Sequence, residues 1–143
     1  MLSRVIRVLA ICFIGLALVA QFGCESQESI QSTSVTGKTI RYYVTAVELY
    51  SAYEANELAA DQKYEDRVIQ VTGIIDDIGE DIMGDAYITL VGDESGWHSV
   101  QCYFPHNERR SLSSLRKGQS VRVKGVCDGK TIMNVLVKGC ELL

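Results

Sequence analysis

Hydrophobic and polar residues follow three different patterns along the 143 residues of this chain. Residues 8–20 are almost continuously apolar, residues 25–38 are mostly polar, and the remainder alternates between short apolar and polar stretches. These patterns are typical of a leader, a linker and a folded region, respectively. The length of the last part suits one domain.

The leader has the organisation of a signal peptide. Arg4 and Arg7 precede the apolar run of residues 8–20. This run is shorter than the roughly 20 apolar residues that a membrane-spanning helix requires. We therefore predict a signal peptide over residues 1–23, with a retained helix as the alternative.

Gly23 and Cys24 follow the apolar run, and this pair resembles the lipobox of bacterial lipoproteins. The resemblance implies cleavage before Cys24, acylation of that residue, and a location in the bacterial cell envelope, facing the periplasm or the exterior. Gln21 stands where lipoboxes usually carry an aliphatic residue, so simple secretion and an uncleaved anchor stay open.

Residues 24–38 are predicted to be a flexible tether that carries the lipid anchor at its start. Ile30 and Val35 are too widely spaced to nucleate structure. The domain is then expected over residues 39–143. An ordered segment docked on that domain is the alternative.

Two short helices are predicted at the start of the domain. Thr45 and Glu48 form a capping box, and Asn56 can cap a second helix over residues 57–62. Apolar residues recur at helical spacing after Thr45, namely Ala46, Leu49, Tyr50 and Tyr53. We interpret this stripe as core packing.

Five segments with strand character follow, separated by Gly and Asp. They are residues 67–75, 86–91, 98–104, 119–126 and 133–140. Residues 111–118 predict a short helix between the third and fourth segments, and Gly73, Gly125 and Gly139 predict bulges or kinks. This layout is typical of a mainly β protein, a five-stranded OB-fold barrel preceded by a helical segment.

The same region resembles a known family. The resemblance lies in residues 48–50, 56–60, 63–64, 71–73, 100–104, 118–119 and 123–127. These segments are similar to the tRNA-anticodon-like OB-fold family of bacterial lipoproteins over about residues 45–142. The resemblance implies the fold and raises nucleic-acid binding as a candidate function, although a shared barrel does not by itself decide function.

Composition and net charge exclude some classes of protein and disfavour others. Hydrophobic residues make up 47% and charged residues 22%, which excludes a disordered acidic tail or a collagen-like fibre. Removing residues 1–23 takes away two arginines and no acid, which moves the net charge from −4 to −6. Nucleic-acid-binding proteins usually carry more basic than acidic residues. The local basic cluster, interpreted as solvated surface, is Arg109, Arg110, Arg116 and Lys117.

Three cysteines lie in the predicted domain: Cys102, Cys127 and Cys140. In OB topology the third and fifth strands run parallel, so Cys102 and Cys140 both lie late in neighbouring strands. This makes them the candidate disulfide, with reduced buried thiols as the alternative. The sequence has no Cys-x-x-Cys motif for redox chemistry or zinc.

The sequence has no recognisable catalytic, metal or cofactor motif. Residues 76–85 contain five acids, but their spacing does not follow a calcium-binding loop. His98 and His106 stand beside no motif acid or nucleophile. We therefore expect a protein that is not an enzyme, without catalytic residues, metal or cofactor.

The candidate ligand site is one face of the barrel. OB-folds bind ligands on their second and third strands and on adjoining loops. If Ile88, Leu90, Val100, Cys102 and Phe104 point inward, alternation directs other residues outward. The candidate ligand-binding residues are Tyr87, Thr89, Gln101 and Tyr103, with Trp97 at the rim. Exposed tyrosines can stack on sugars, peptides or bases, but tyrosine also favours exposed strands without any ligand.

The sequence thus favours a membrane-tethered, non-enzymatic OB-fold binding module with a protein or glycan ligand. The alternative is a nucleic-acid-binding OB-fold protein, which the mature charge disfavours.

Overall fold

The computed structural model describes residues 34–143. The predicted signal peptide, Cys24 and residues 25–33 of the predicted tether lie outside the described residues. The described part forms six strands, three short α-helices and one 3-10 turn at His106–Glu108. The strands and α-helices are β1 (Tyr42–Thr45), α1 (Ala46–Ala55), α2 (Glu57–Tyr64), β2 (Val68–Glu80), β3 (Ala86–Val91), β4 (Ser99–Phe104), α3 (Arg109–Leu112), β5 (Ser120–Lys130) and β6 (Asn134–Leu142).

Both predicted N-terminal helices are confirmed. The Thr45 hydroxyl accepts a bond from the Glu48 amide at 3.1 Å, and the Glu48 carboxylate accepts one from the Thr45 amide at 2.8 Å. The Asn56 side chain accepts a bond from the Ala59 amide at 3.1 Å and begins α2. The predicted stripe of α1 is buried, as core packing requires.

Five strands close into the predicted OB-fold barrel. The long strand β2 pairs with β5 through residues 68–74 and with β3 from Ile75 onward, and it bends at a bulge between Ile75 and Asp77. β3 pairs antiparallel with β4, β4 pairs parallel with β6, and β6 pairs antiparallel with β5. This closed order leaves β3 paired along both edges.

The sixth strand, β1, was not expected. Its four residues pair parallel with the first half of β2, in the register Tyr42 to Ile69. A segment this short has too few alternating positions to stand out from the sequence.

Glycines shape the barrel in two ways. Gly139 has a φ of +62° and lies opposite Gly125, where the register of β5 and β6 shifts, so this pair forms the predicted bulge. Gly73 instead allows close packing, because a Cβ there would stand 3.0 Å from the Cβ of Ala46 and 3.1 Å from that of Leu90.

The helix between β4 and β5 is present, but it begins earlier than predicted. It covers Arg109–Leu112 and buries Leu112 in the core. Ser113 lies at its C-terminal end, where the Ser113 hydroxyl donates to the carbonyl of Arg110 at 2.7 Å. Serine side chains can bond either to helix amides or to helix carbonyls, so they do not fix the helix boundary in the sequence.

The described domain begins before residue 39. Val35 is fully buried, and its amide donates to the carbonyl of Gly139 at 3.3 Å. The Thr36 hydroxyl donates to the Glu141 carboxylate at 2.8 Å. The end of the predicted tether is thus packed on β6, because one large apolar side chain finds a complementary site that the sequence does not reveal. Within residues 34–143, no helix is long and apolar enough to cross a membrane.

Candidate ligand-binding face

The outward surface of β3 and β4 brings four of the five candidate residues together. The register pairs Tyr87 with Tyr103 and Thr89 with Gln101, while the predicted inward residues of both strands are buried. All four outward side chains are half-buried. We call these four residues, with Gly79 on β2 and Asn134 on β6, the tyrosine face.

The two tyrosine rings lie side by side on this face. Their centroids are 5.9 Å apart and their planes differ by 59°. The Tyr87 ring crosses over Gly79, since a Cβ on that glycine would stand 3.0 Å from the Tyr87 hydroxyl and 3.2 Å from Cζ. Gly79 is therefore part of the site. It was missed from the sequence because Gly79 falls in the acidic segment after the first predicted strand, whereas β2 extends to Glu80.

A chain of hydrogen bonds runs across the face towards Tyr103. The Ser99 hydroxyl donates to the Asn134 side-chain oxygen at 2.8 Å, and the Asn134 amide donates to the Gln101 side-chain oxygen at 3.1 Å. The Gln101 amide then donates to the Tyr103 hydroxyl at 3.1 Å. Asn134 was missed by sequence reasoning because only the parallel pairing of β4 with β6 brings it here.

Two groups at this face have unused hydrogen-bonding capacity. The Tyr103 hydroxyl accepts from Gln101, so its own proton is available for donation. The Thr89 hydroxyl oxygen is buried and has no partner among the described residues. A buried hydroxyl without a partner is uncommon and marks a place where a ligand or water can bond.

The surroundings of Tyr103 are acidic. Burial raises the pKa of Tyr103, and Asp81, Tyr87 and Asp85 raise it further, whereas Lys138 lowers it. Lys138 itself lies 2.5 Å from the Asp128 carboxylate. The phenol therefore stays protonated and remains a hydrogen-bond donor.

The acidic hairpin tip neutralises part of the basic cluster. Lys117 Nζ lies 2.6 Å from Asp77, which raises the pKa of Lys117 and lowers that of Asp77, and Arg109 forms an ion pair with Glu80. Asp81 Oδ1 accepts the amides of Met83 and Asp85 at 2.9 Å each, so this acid organises the turn. Most of the predicted acidic segment thus has a structural partner.

A groove of about 530 Å³ has Gly79 in its lining, next to residues on the core side of β2 and β3. Ile78, Ala86 and Leu112 supply its apolar walls, and Arg109 with its partner Glu80 lies at its edge. The groove lies between the β2–β3 hairpin and α3, on the core side of the sheet and not on the tyrosine face.

The comparisons with known proteins agree with this barrel. The profile of the tRNA_anti-like family matches residues 1–141. The chain belongs to the tRNA_anti-like family. A search of curated proteins found no match.

Three solved structures are similar to this tRNA_anti-like chain at low identity. A Klebsiella pneumoniae subsp. pneumoniae protein called a "putative nucleic acid-binding lipoprotein" is 18% identical, with a TM-score of 0.56, covering 73% of this chain and 92% of its own. OBody AM3L09, bound to hen egg-white lysozyme, is 15% identical, with a TM-score of 0.42, covering 55% and 83%. The S. pombe Stn1-ten1 complex is 23% identical, with a TM-score of 0.38, covering 53% and 57%. At such identities the likeness to the Klebsiella structure shows the fold alone.

In this family member, Trp97 does not lie beside the tyrosines. It is 74% exposed in the loop that joins β3 to β4, whereas Tyr87 and Tyr103 lie at the other end of those strands. Val91, the last residue of β3, lies four residue steps from Tyr87, or about 13 Å along the strand. Trp97 therefore forms no part of the tyrosine face.

The same loop contains an acid partner for His98. Asp93 Oδ2 lies 2.5 Å from His98 Nδ1, and the His98 ring stacks on Tyr50 of α1 with centroids 4.9 Å apart. Hydrogen bonds from His98 and Ser95 lower the pKa of Asp93 to about 2. The Ser95 hydroxyl donates to Asp93 rather than to His98, so these three residues are not arranged as a nucleophile and base.

The cysteines of the described residues are buried free thiols. Cys102 and Cys140 are neighbours, as the parallel strands predicted, but the candidate disulfide between them is not formed in this structure. Burial and the adjacent Cys102 raise the pKa of Cys140, and burial likewise raises that of Cys127. The structure thus contains the alternative form, reduced thiols in the core.

Proposed function

We propose that this chain is a membrane-tethered, non-enzymatic binding module of the bacterial cell envelope, with a protein or a glycan as its ligand. The observation that carries the proposal is the tyrosine face, where two adjacent aromatic rings, fixed amides and unused hydroxyl capacity lie together at a position that OB-folds use for ligands.

Charge supports a ligand that is not a polyanion. Asp81 and Asp85 lie close enough to Tyr103 to affect its pKa, and Lys117, Arg109 and Lys138 each have a carboxylate partner. Phosphate backbones are bound mainly through basic side chains that replace counterions. The described face would repel such a ligand more than it attracts it.

The tether is proposed from the leader and the Cys24 sequence, and the Klebsiella protein called a lipoprotein is in keeping with it. Incorporation of labelled palmitate tests this part. Wild-type protein in its bacterial host should be labelled, and Cys24→Ala should not. Equal labelling of the two proteins would refute the anchor.

Envelope crosslinking tests the binding function itself. A photoreactive amino acid at position 103 should capture a partner in intact envelopes, whereas the same group at the exposed position 43 on β1 should not. Equal capture at both positions would mean that the tyrosine face is not the binding surface.

Nucleic-acid binding is the second candidate, favoured by the family and by what the Klebsiella structure is called. Fluorescence anisotropy with single-stranded DNA and RNA at low and high salt separates the two proposals. We expect weak binding at every salt concentration. Tight binding that falls steeply with salt would establish the second candidate instead.

A further inference from the structure

We infer that the tyrosine face binds an uncharged β-linked glycan, with one pyranose ring stacked on Tyr87 and its hydroxyl groups bonded to the amides and hydroxyls beside Tyr103. This inference rests on the proposed binding function and narrows its ligand to one class.

Stacking is the first requirement, and Tyr87 meets it. The ring lies over Gly79 without an intervening side chain, because a Cβ added to that glycine would stand only 3.0 Å from the Tyr87 hydroxyl. Tyr87 therefore presents a ring supported from below by the backbone of β2. The electron-rich face of an aromatic ring attracts the C–H groups on the apolar side of a sugar whose substituents are equatorial. Tyr103, 5.9 Å away, can contact the neighbouring part of the same chain.

The hydrogen-bond chain supplies the second requirement, a fixed set of donors and acceptors. Because Ser99, Asn134 and Gln101 each donate towards the next residue, both amides are held in one orientation. Each amide uses one of its two N–H groups in the chain, so the second N–H is left for a ligand. A sugar hydroxyl can accept from such a group and donate to another acceptor at the same time.

The unused capacity of Tyr103 and Thr89 fits the same ligand. The Tyr103 hydroxyl can donate its proton, and the Thr89 oxygen can both accept and donate. Thr89 is the cross-strand partner of Gln101, so its hydroxyl lies next to the amide chain. A neutral polyol matches mixed donors and acceptors of this kind.

Two other ligand classes fit less well. A polyphosphate chain would meet Asp81 and Asp85 beside Tyr103, while Arg109, Lys117 and Lys138 are already paired with carboxylates. A peptide that binds by adding a strand needs a free sheet edge. Along this face, β3 has no free edge, because it pairs with both β2 and β4. Recognition must therefore come from side chains.

The test uses the full chain in lipid nanodiscs, prepared without detergents that carry sugar headgroups. Calorimetric titration with the pentamer of β-1,4-linked N-acetylglucosamine is compared for wild type, Tyr87→Ala, Tyr103→Phe and the control Tyr43→Ala. Tyr43 is an exposed tyrosine on β1, outside the face. Thermal unfolding of each variant verifies that the domain is folded.

We expect saturable binding by wild type and Tyr43→Ala, and a loss of about tenfold or more in Tyr87→Ala, because the stacked ring is removed. Tyr103→Phe keeps the ring but loses the hydroxyl, so its loss should be smaller, about threefold to tenfold. No binding by wild type, or equal binding by wild type and Tyr87→Ala, overturns the glycan assignment. If crosslinking at position 103 then captures a protein, the binding function stands with a protein ligand; if it captures nothing, both proposals fail.

Discussion

At the scale of single residues, two glycines have opposite roles. Gly79 leaves space above the sheet that the Tyr87 ring occupies. Gly125 lies inside the barrel wall, where a Cβ would stand 2.5 Å from Val137 Cγ1 and 2.7 Å from Cys140 Sγ. A Cβ at position 79 would meet the end of a flexible side chain, whereas a Cβ at position 125 would meet packed core side chains. The same substitution should therefore affect binding at one site and stability at the other.

Gly79→Ala should displace the Tyr87 ring and weaken binding of the glycan probe, because the added methyl occupies the position of the ring. The free energy of unfolding should change by less than about 1 kcal/mol, since the ring can rotate into solvent. Ring NMR signals of Tyr87, calorimetry and urea unfolding measure these effects. A variant with unchanged ring signals and affinity would show that Gly79 does not position Tyr87.

Gly125→Ala should lower the free energy of unfolding by about 1–3 kcal/mol, because overpacking forces β5 away from β6. Combining it with Val137→Ala removes the closest contact, so the double variant should lose less stability than the sum of the two single variants. Urea unfolding of all three variants measures this coupling. Additive losses would contradict the predicted clash.

At the scale of elements, His98 holds the β3–β4 loop against α1. Its ring stacks on Tyr50, whose hydroxyl donates to Glu54 at 3.0 Å, and Lys130 at the end of β5 forms an ion pair with Glu54. Burial and Glu54 raise the pKa of Tyr50 to about 12. This cluster connects α1, the β3–β4 loop and the β5–β6 hairpin at one end of the barrel.

His98→Ala should raise the pKa of Asp93 towards its ordinary value of 3.8, because its largest cause of lowering is the bond from His98. The folded pKa of about 2 is below that value, so the carboxylate stabilises the fold above about pH 4. That contribution is lost as the pH falls through about 2. An NMR titration of the Asp93 carboxyl, with His106→Ala as control, measures the shift. An unchanged Asp93 titration would contradict the pairing.

At the scale of the whole molecule, an N-terminal segment closes the outer surface of β5 and β6. Val35 is fully buried there, and Lys124, only 7% exposed, lies 3.1 Å from Glu141. Bonds from Thr36 and Lys124 lower the pKa of Glu141. A buried ion pair needs further hydrogen bonds to offset its desolvation, and Thr36 supplies one.

Val35→Ala should lower the free energy of unfolding by about 1–3 kcal/mol, because it removes buried apolar volume. The exposed Val47→Ala should change it by less than about 0.5 kcal/mol. Urea unfolding of the fragment 32–143 measures both, and a fragment beginning at residue 39 should be less stable still. Equal stability of the two fragments would mean that the domain begins where the sequence pattern suggested.

Much of the architecture could be predicted from the sequence because its signals are local. The capping box at Thr45, the alternation in residues 86–91 and the positions of Gly125 and Gly139 each act over a few neighbouring residues. They led to the two helices, the OB-fold barrel and the outward direction of Tyr87 and Tyr103. The strand β1 and the early start of α3 were missed because their local signals are short or ambiguous.

The chemistry of the candidate site was decided at longer range. Sequence alone predicted which side chains of β3 and β4 point outward, since alternation places the polar set opposite the apolar set that packs in the core. Only the closed barrel decided that Gly79 lies beneath Tyr87 and that Asn134 bonds to Gln101. It also decided that the acidic hairpin pairs with Arg109 and Lys117, and that Trp97 lies apart from the tyrosine face. These contacts join residues far apart in the chain, so they depend on strand order and closure, which local patterns do not contain.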